Sequence, residues 1–153
     1  MEEKAITIND GNSTKVAKKM RDMDFRRYTA LLSFGMDDLL KNQSGNTTTS
    51  IEELEANTKE ILDFVCRDAD KVYWLNIPPL PSDKYVASDV EKFNNLLQQI
   101  MDQYGVYTVD VHRIILKNIP SFSEKGFENL NQEQKDLIAK QVAEGLLFFG
   151  AQD

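Results

Sequence analysis

Two short runs in this chain are apolar at nearly every position, and the other segments are placed around them. Tyr28–Phe34 (YTALLSF) carries alanine, leucine and phenylalanine on both sides of any extended backbone. Such a run cannot be half exposed, so it predicts a strand buried on both faces. Val72–Ile77 (VYWLNI) predicts a second strand, stopped by Pro78-Pro79 because proline cannot donate to a ladder. Ala5–Asn9 (AITIN) has the composition of a short strand, and Asp10-Gly11-Asn12-Ser13 after it has turn and helix-cap chemistry. From Val106 the pattern alternates, with Tyr107, Val109 and Val111 to one side and Thr108, Asp110 and His112 to the other. Alternation of that kind predicts an edge strand with one wet face.

Between the strands the apolar spacing is helical. Val16, Ala17 and Met20 form one stripe on a helix of about three turns. Ser50 with Glu53 makes a capping box that opens a helix carrying Leu54, Ile61, Leu62 and Val65, ending near Asp68. A second box, Ser88 with Glu91, opens a helix with Val90, Phe93, Leu97, Ile100 and Tyr104 on one face, closed by Gly105. A final helix from Asn131 is expected to turn Leu137, Ile138, Val142, Leu146 and Phe149 inward, and Lys41–Thr49 is a polar surface loop. Strands alternating with helices of this length imply a mainly parallel sheet with right-handed crossovers and helices on both faces. The expected fold is a three-layer α/β/α sandwich with about four strands, in a single domain over residues 1–153.

Charge changes the picture at one place. The chain carries a net charge of −7, which argues against non-specific binding to nucleic acid or anionic membrane as its main role. Residues 15–27 run the other way, with Lys15, Lys18, Lys19, Arg21, Arg26 and Arg27 against Asp22 and Asp24, a local +4. This basic stretch, with Met20, Met23 and Phe25 inside it, is the candidate surface for another protein chain, either a different partner or a second copy. An RNA-associated scaffold using the same face is the weaker alternative. The opening MEEK lacks the basic start and apolar core of a signal peptide, and no apolar run reaches bilayer length, so a cytoplasmic or nuclear location is expected.

Candidate chemistry gathers where ligands collect in open α/β sheets, past the carboxyl end of the central strand, at Gly35, Asp37 and Asp38. Two adjacent carboxylates there can coordinate a cation or act as acid and base; equally, they can accept backbone N–H groups and hold the turn together, the role expected here. His112 is the only histidine, so any serine or cysteine mechanism has to use it. Cys66 falls near the end of a helix, where the dipole that would activate a thiolate is absent. One cysteine and one histidine leave a zinc site short of ligands, and Gly11, Gly35 and Gly45 are too scattered for a nucleotide fingerprint, so no metal or cofactor is expected.

The segment LLSFGMDDLL resembles the third sequence block of the SGNH (GDSL-type) esterase and lipase superfamily, in which a strand ends in Gly-x-Asn-Asp and the asparagine lines the oxyanion hole. VYWLNIPPLPSD, followed by Phe93-Asn94-Asn95-Leu96-Leu97, is similar to the next unit of that family, and Leu130-Asn131 with Leu137, Ile138 and Ala139 resembles the segment after its catalytic histidine. Residues 6–20, with Gly11, resemble the second block and its helix. The resemblance implies an α/β/α sandwich of the SGNH or flavodoxin type, with Gly11, Gly35, Asp37 and Asp38 marking a vestigial pocket.

The departures carry the functional expectation. No Gly-Asp-Ser motif is present, so the nucleophile-bearing first strand of the family is expected to be missing. Asp37 replaces the oxyanion-hole asparagine, and a carboxylate there repels developing charge, reversing a contribution worth ~3 kcal/mol. Where the family has Asp-x-x-His this chain reads Glu124-Lys125-Gly126-Phe127-Glu128-Asn129, and His112 comes some sixteen residues too early. The expectation is a catalytically inactive SGNH-like domain serving as a protein-interaction or scaffold module; the alternative is an active hydrolase using Ser13 or Ser33 with His112. Loss of the first strand also leaves an edge, over which Ala5–Asn9 is expected to move and pair with Tyr28–Phe34 while an apolar surface stays open beside Met20, Met23 and Phe25.

Overall fold

A computed structural model describes residues 4–9, 11–41, 44–81, 85–120, 122 and 130–150, with side chains except those of 4–9, 149 and 150. Its elements are β1 (Lys4–Asn9), α1 (Ser13–Met20), β2 (Tyr28–Ser33), a 3-10 turn (Asp37–Leu39), α2 (Ile51–Asp68), β3 (Lys71–Leu75), α3 (Ala87–Tyr104), β4 (Tyr107–Val109), α4 (Val111–Asn118) and α5 (Gln132–Gly150). The four strands are parallel and lie side by side in chain order. Each crossover therefore steps one strand in the same direction, and right-handed connections place α1, α2 and α3 on one face. Their packing agrees, α1 lying against α2 and α2 against α3.

The core follows from that arrangement. Ala30 pairs with Val72 and Leu32 with Trp74, so these four share one face, and all are buried. Against them pack Val16 and Met20 of α1, Leu54, Ile61, Leu62 and Val65 of α2, and Val90, Phe93, Leu97 and Ile100 of α3. The opposite face carries Leu31, Tyr73 and Val109. It is covered at the β4 end by α5, whose Gly145 lies so close to Val109 that an added Cβ would sit 3.2 Å from its methyl group. Ile115, Ile119, Phe122 and Leu130 form a second, smaller cluster under α4 and α5. The result is an α/β/α sandwich with unequal outer layers.

Local chemistry sets the element ends. Ser50 caps α2 by accepting the Glu53 N–H, and α3 ends in left-handed Gly105 (φ 70°), where Val106 N–H returns to the Met101 carbonyl. Two buried polar atoms, Thr58 Oγ1 and Trp74 Nε1, have no hydrogen-bond partner among the described residues. Thr58→Val keeps the shape and removes the unpaired hydroxyl, so it should raise stability by about 1 kcal/mol in urea unfolding.

Several expectations are corrected. The alternating run from Val106 is a strand only as far as Val109, because Asp110 accepts the Arg113 N–H and caps α4, placing Val111 and His112 in a helix. Ser88 does not cap α3, which starts at Ala87 behind Val86 with no side-chain cap. Leu137 is exposed on α5 rather than inward, as are Leu147 and Phe148, and the side chain of Phe149 lies outside the described set. Ala5–Asn9 does pair with β2 directly. Met20 and Phe25, however, are 0% and 1% exposed, folded into the core under α1, so of the three residues expected to form an open apolar surface only Met23 reaches solvent.

Candidate functional site

At the carboxyl ends of β1 and β2 the backbone is stitched across the two strands. The Gly11 carbonyl accepts both the Gly35 N–H (3.0 Å) and the Asp37 N–H (2.9 Å). Gly35 has φ 106°, a conformation that glycine alone adopts readily, and it turns β2 into the 3-10 segment that carries the two aspartates. Asp37 stays exposed with its carboxylate against Gly11, where a Cβ would lie 2.7 Å from Cγ and from one carboxylate oxygen.

Asp38 goes the other way, into the protein, and is fully buried. One oxygen accepts the Ser13 N–H (2.8 Å); the other accepts the Ser13 hydroxyl (2.9 Å) and the Thr49 hydroxyl (2.5 Å). Asn57, from α2, donates its Nδ2 to Ser13 Oγ and to Thr14 Oγ1, each at 3.0 Å. The Ser13 side chain is thus 0% exposed, donating to one partner and accepting from another. Asp38 is structural here, since its acceptors fasten the start of α1 to the turn after β2 and to the end of the 41–49 loop.

A second polar group sits at the ends of β3 and β4. Asn76 donates to Asp110 Oδ1 (2.8 Å) and accepts the His112 N–H (2.9 Å), while Asn94 holds both the N–H and the carbonyl of Ile77 at 2.8 Å. The His112 ring places Nδ1 3.0 Å from the Ile77 carbonyl. A carbonyl only accepts, so this contact requires a proton on Nδ1. Ile77 follows β3, two strands from β1, and at the spacing of neighbouring strands that is roughly 10 Å from the turn bearing Ser13. The fold does not bring Ser13 and His112 together. Ser33, half-buried at the end of β2, has no described contact with the imidazole.

Neither of two clefts among the described residues is lined by Ser13. One, about 480 Å³, opens at the amino ends of β3 and β4 beside Cys66 and Tyr104; the other, about 300 Å³, lies between α4 and α5. Burial, then the nearby Asp63 charge, pushes the Cys66 thiol up to about 11, and a 2.6 Å hydrogen bond to Asp63 raises the Tyr104 hydroxyl to about 12. Both folded values lie above the ordinary ones of 9.0 and 10.0, so the folded state holds these protons more tightly. Stability should be undiminished below about pH 9 and fall as pH rises through 11 to 12, and Cys66→Ala should flatten the first part of that decline in urea melts. Among the described residues no three His, Cys, Asp or Glu side chains converge as a metal ion would require.

The basic stretch is divided. Lys15, Lys18 and Lys19 are exposed on α1. Arg26 is committed to Asp24 at 2.6 Å, a contact that holds the Asp24 carboxyl at about 2, and Arg21 pairs with Glu60 of α2 at 2.7 Å. Arg27 takes a left-handed conformation (φ 68°) before β2, and its side chain is exposed.

No family model matches the chain, and no curated protein matches it. Among solved structures it is similar to the crystal structure of LAE5, an α/β hydrolase enzyme from the metagenome of Lake Arreo, Spain. That similarity has a TM-score of 0.63 at 12% identity and covers 88% of this chain and 67% of that one. At this identity the likeness is one of fold alone: the chain is an α/β sandwich. No helix among the described residues is long and apolar enough to cross a membrane.

The turn chemistry of Asp10-Gly11-Asn12-Ser13 marks the place of Ser13 at the strand-to-helix turn after β1. Nothing local marks Thr49, which donates to Asp38, or Asn57, which donates to Ser13, since both come from distant segments.

Proposed function

We propose that this chain is a hydrolase-fold domain without hydrolytic activity, a degenerate relative of the SGNH esterases that acts through contacts with another protein. The observation that carries this reading is the state of Ser13. β1 takes the edge beside β2 that loss of the family's nucleophile-bearing strand would leave open, and Ser13, a serine that an active hydrolase could use with His112, stands at the turn after it. A serine nucleophile must be open to substrate and hydrogen-bonded to a base. Ser13 is closed to solvent, its proton committed to a buried aspartate and its lone pair to Asn57. Asp37 adds a carboxylate over Gly11, where an acyl oxyanion would need donors.

Short p-nitrophenyl esters provide the test. Wild type, Ser13→Ala and His112→Ala should all match buffer within error. Turnover above buffer that Ser13→Ala removes would overturn the reading.

A further inference from the structure

We propose that the outer edge of β1, flanked by the lysines of α1, receives an extended acidic segment of a partner protein as a fifth strand. The inference rests on the non-catalytic reading above and names the surface and partner that reading leaves open.

β1 ends the sheet. All six of its residues, Lys4–Asn9, are in register with β2 on one side, which holds the backbone extended, and among the described residues no strand pairs with the other side. In a parallel ladder alternate residues direct their N–H and C=O groups outward, so among the described residues this edge holds donors and acceptors with no strand opposite them. Natural edges are protected by proline, bulges, brevity or charge. β4, the opposite edge, is only three residues long, whereas β1 is six, has neither proline nor glycine, and carries a single charge, Lys4.

The neighbouring helix specifies the occupant. On α1, Val16 and Met20 are buried in the core, while Thr14 and Arg21 reach Asn57 and Glu60 of α2. Helical spacing then puts Lys15 and Lys19 on the side away from α2, with Lys18 facing solvent. Since α2 follows β2 and packs between α1 and α3, the side of α1 away from it is the side of the β1 edge. A row of cations beside an open edge, on a chain whose net charge is −7, attracts an acidic strand locally. A second copy of the chain paired across a two-fold axis would set these lysines against themselves. RNA would use the lysines but not the strand's amide groups.

A fluorescein-labelled peptide of about ten residues alternating glutamate and valine is the probe, read by anisotropy and by hydrogen exchange of the protein. Saturable binding is expected, about tenfold weaker in Lys15→Glu/Lys18→Glu and weakened again as salt rises from about 50 to 300 mM. Alternate amides of Lys4–Asn9 should gain protection, and the same peptide N-methylated at every second residue should not bind. Equal binding of the methylated peptide, protection elsewhere, a lysine/valine peptide binding as well, tighter binding of polyuridylate, or a mass that doubles without peptide would each overturn the proposal. Ester turnover on the same preparations keeps the two readings apart. Turnover would sink the non-catalytic assignment whatever the peptide does, and failure of peptide binding without turnover sinks the docking edge alone.

Discussion

Asp38→Ala should destabilise the fold by about 3 to 5 kcal/mol, seen as a lower urea midpoint with an unchanged slope. The side chain has no exposed surface and accepts the Ser13 N–H, the Ser13 hydroxyl and the Thr49 hydroxyl. Alanine removes every one of those acceptors and leaves the donors buried, each costing about 1 to 3 kcal/mol if it finds no replacement, less where a hydroxyl can rotate. Asp38→Asn should be milder, at about 2 kcal/mol, because the amide keeps one oxygen but turns an NH₂ toward a donor. The network joins the start of α1 to the turn after β2, so its loss should also free Ser13. Hydrogen exchange at Ser13 and Val16 should accelerate in Asp38→Ala before the core amides of α2 do. A cost below about 1 kcal/mol would mean that these hydrogen bonds do not hold the start of α1 to the turn after β2.

Gly35→Val should cost about 3 kcal/mol or more, from two effects that add. Its φ of 106° lies in the region where a side chain is strained, and an added Cβ would stand 2.9 Å from Ile77 Cδ1 and 3.9 Å from Leu97. The near atoms belong to the Ile77 side chain, which is packed in the core with almost no exposed surface and so has little room to turn aside. Gly105→Ala is the control. There φ is 70° with open space around the position, so only the backbone term applies and the cost should stay near 1 kcal/mol. Equal costs at the two sites would show that the packing between the turns of β2 and β3 is looser than described.

The elements legible in the sequence are those whose signal is local. Tyr28–Ser33 and Lys71–Leu75 announce themselves as strands by short apolar runs with β-branched and aromatic residues, and α2 by Ser50 and Glu53 at its start. The expected burial of β2 on both faces is not met: Ala30 and Leu32 are buried, whereas Thr29, Leu31 and Ser33 on the other face are only half-buried, and among the described residues α5 covers that face at the β4 end. α4 was illegible for a specific reason. Tyr107, Val109 and Val111 fit a period of two, and only the cap formed by Asp110 separates strand from helix. Met20 and Phe25 lie among lysines and arginines, yet on α1 side chains three and four apart divide between core and water, and Phe25, in the segment after α1, packs into the core. Gly11, Gly35 and Asp37 meet through the Gly11 carbonyl and the Asp37 carboxylate, whereas Asp38 turns inward to Ser13 and Thr49. What no pattern conveys is the closure of Ser13, since Asp38 and Asn57 lie 25 and 44 residues away and only the fold brings them to it.

The central claim is that Ser13 is a structural residue, closed to substrate by its bonds to Asp38 and Asn57. Incubating the folded protein with a fluorophosphonate, which phosphonylates activated serines, and measuring its intact mass tests this directly. The account predicts an unchanged mass after prolonged exposure, with a known serine esterase fully modified in parallel. A stoichiometric adduct mapped to Ser13, lost in His112→Ala, would contradict it.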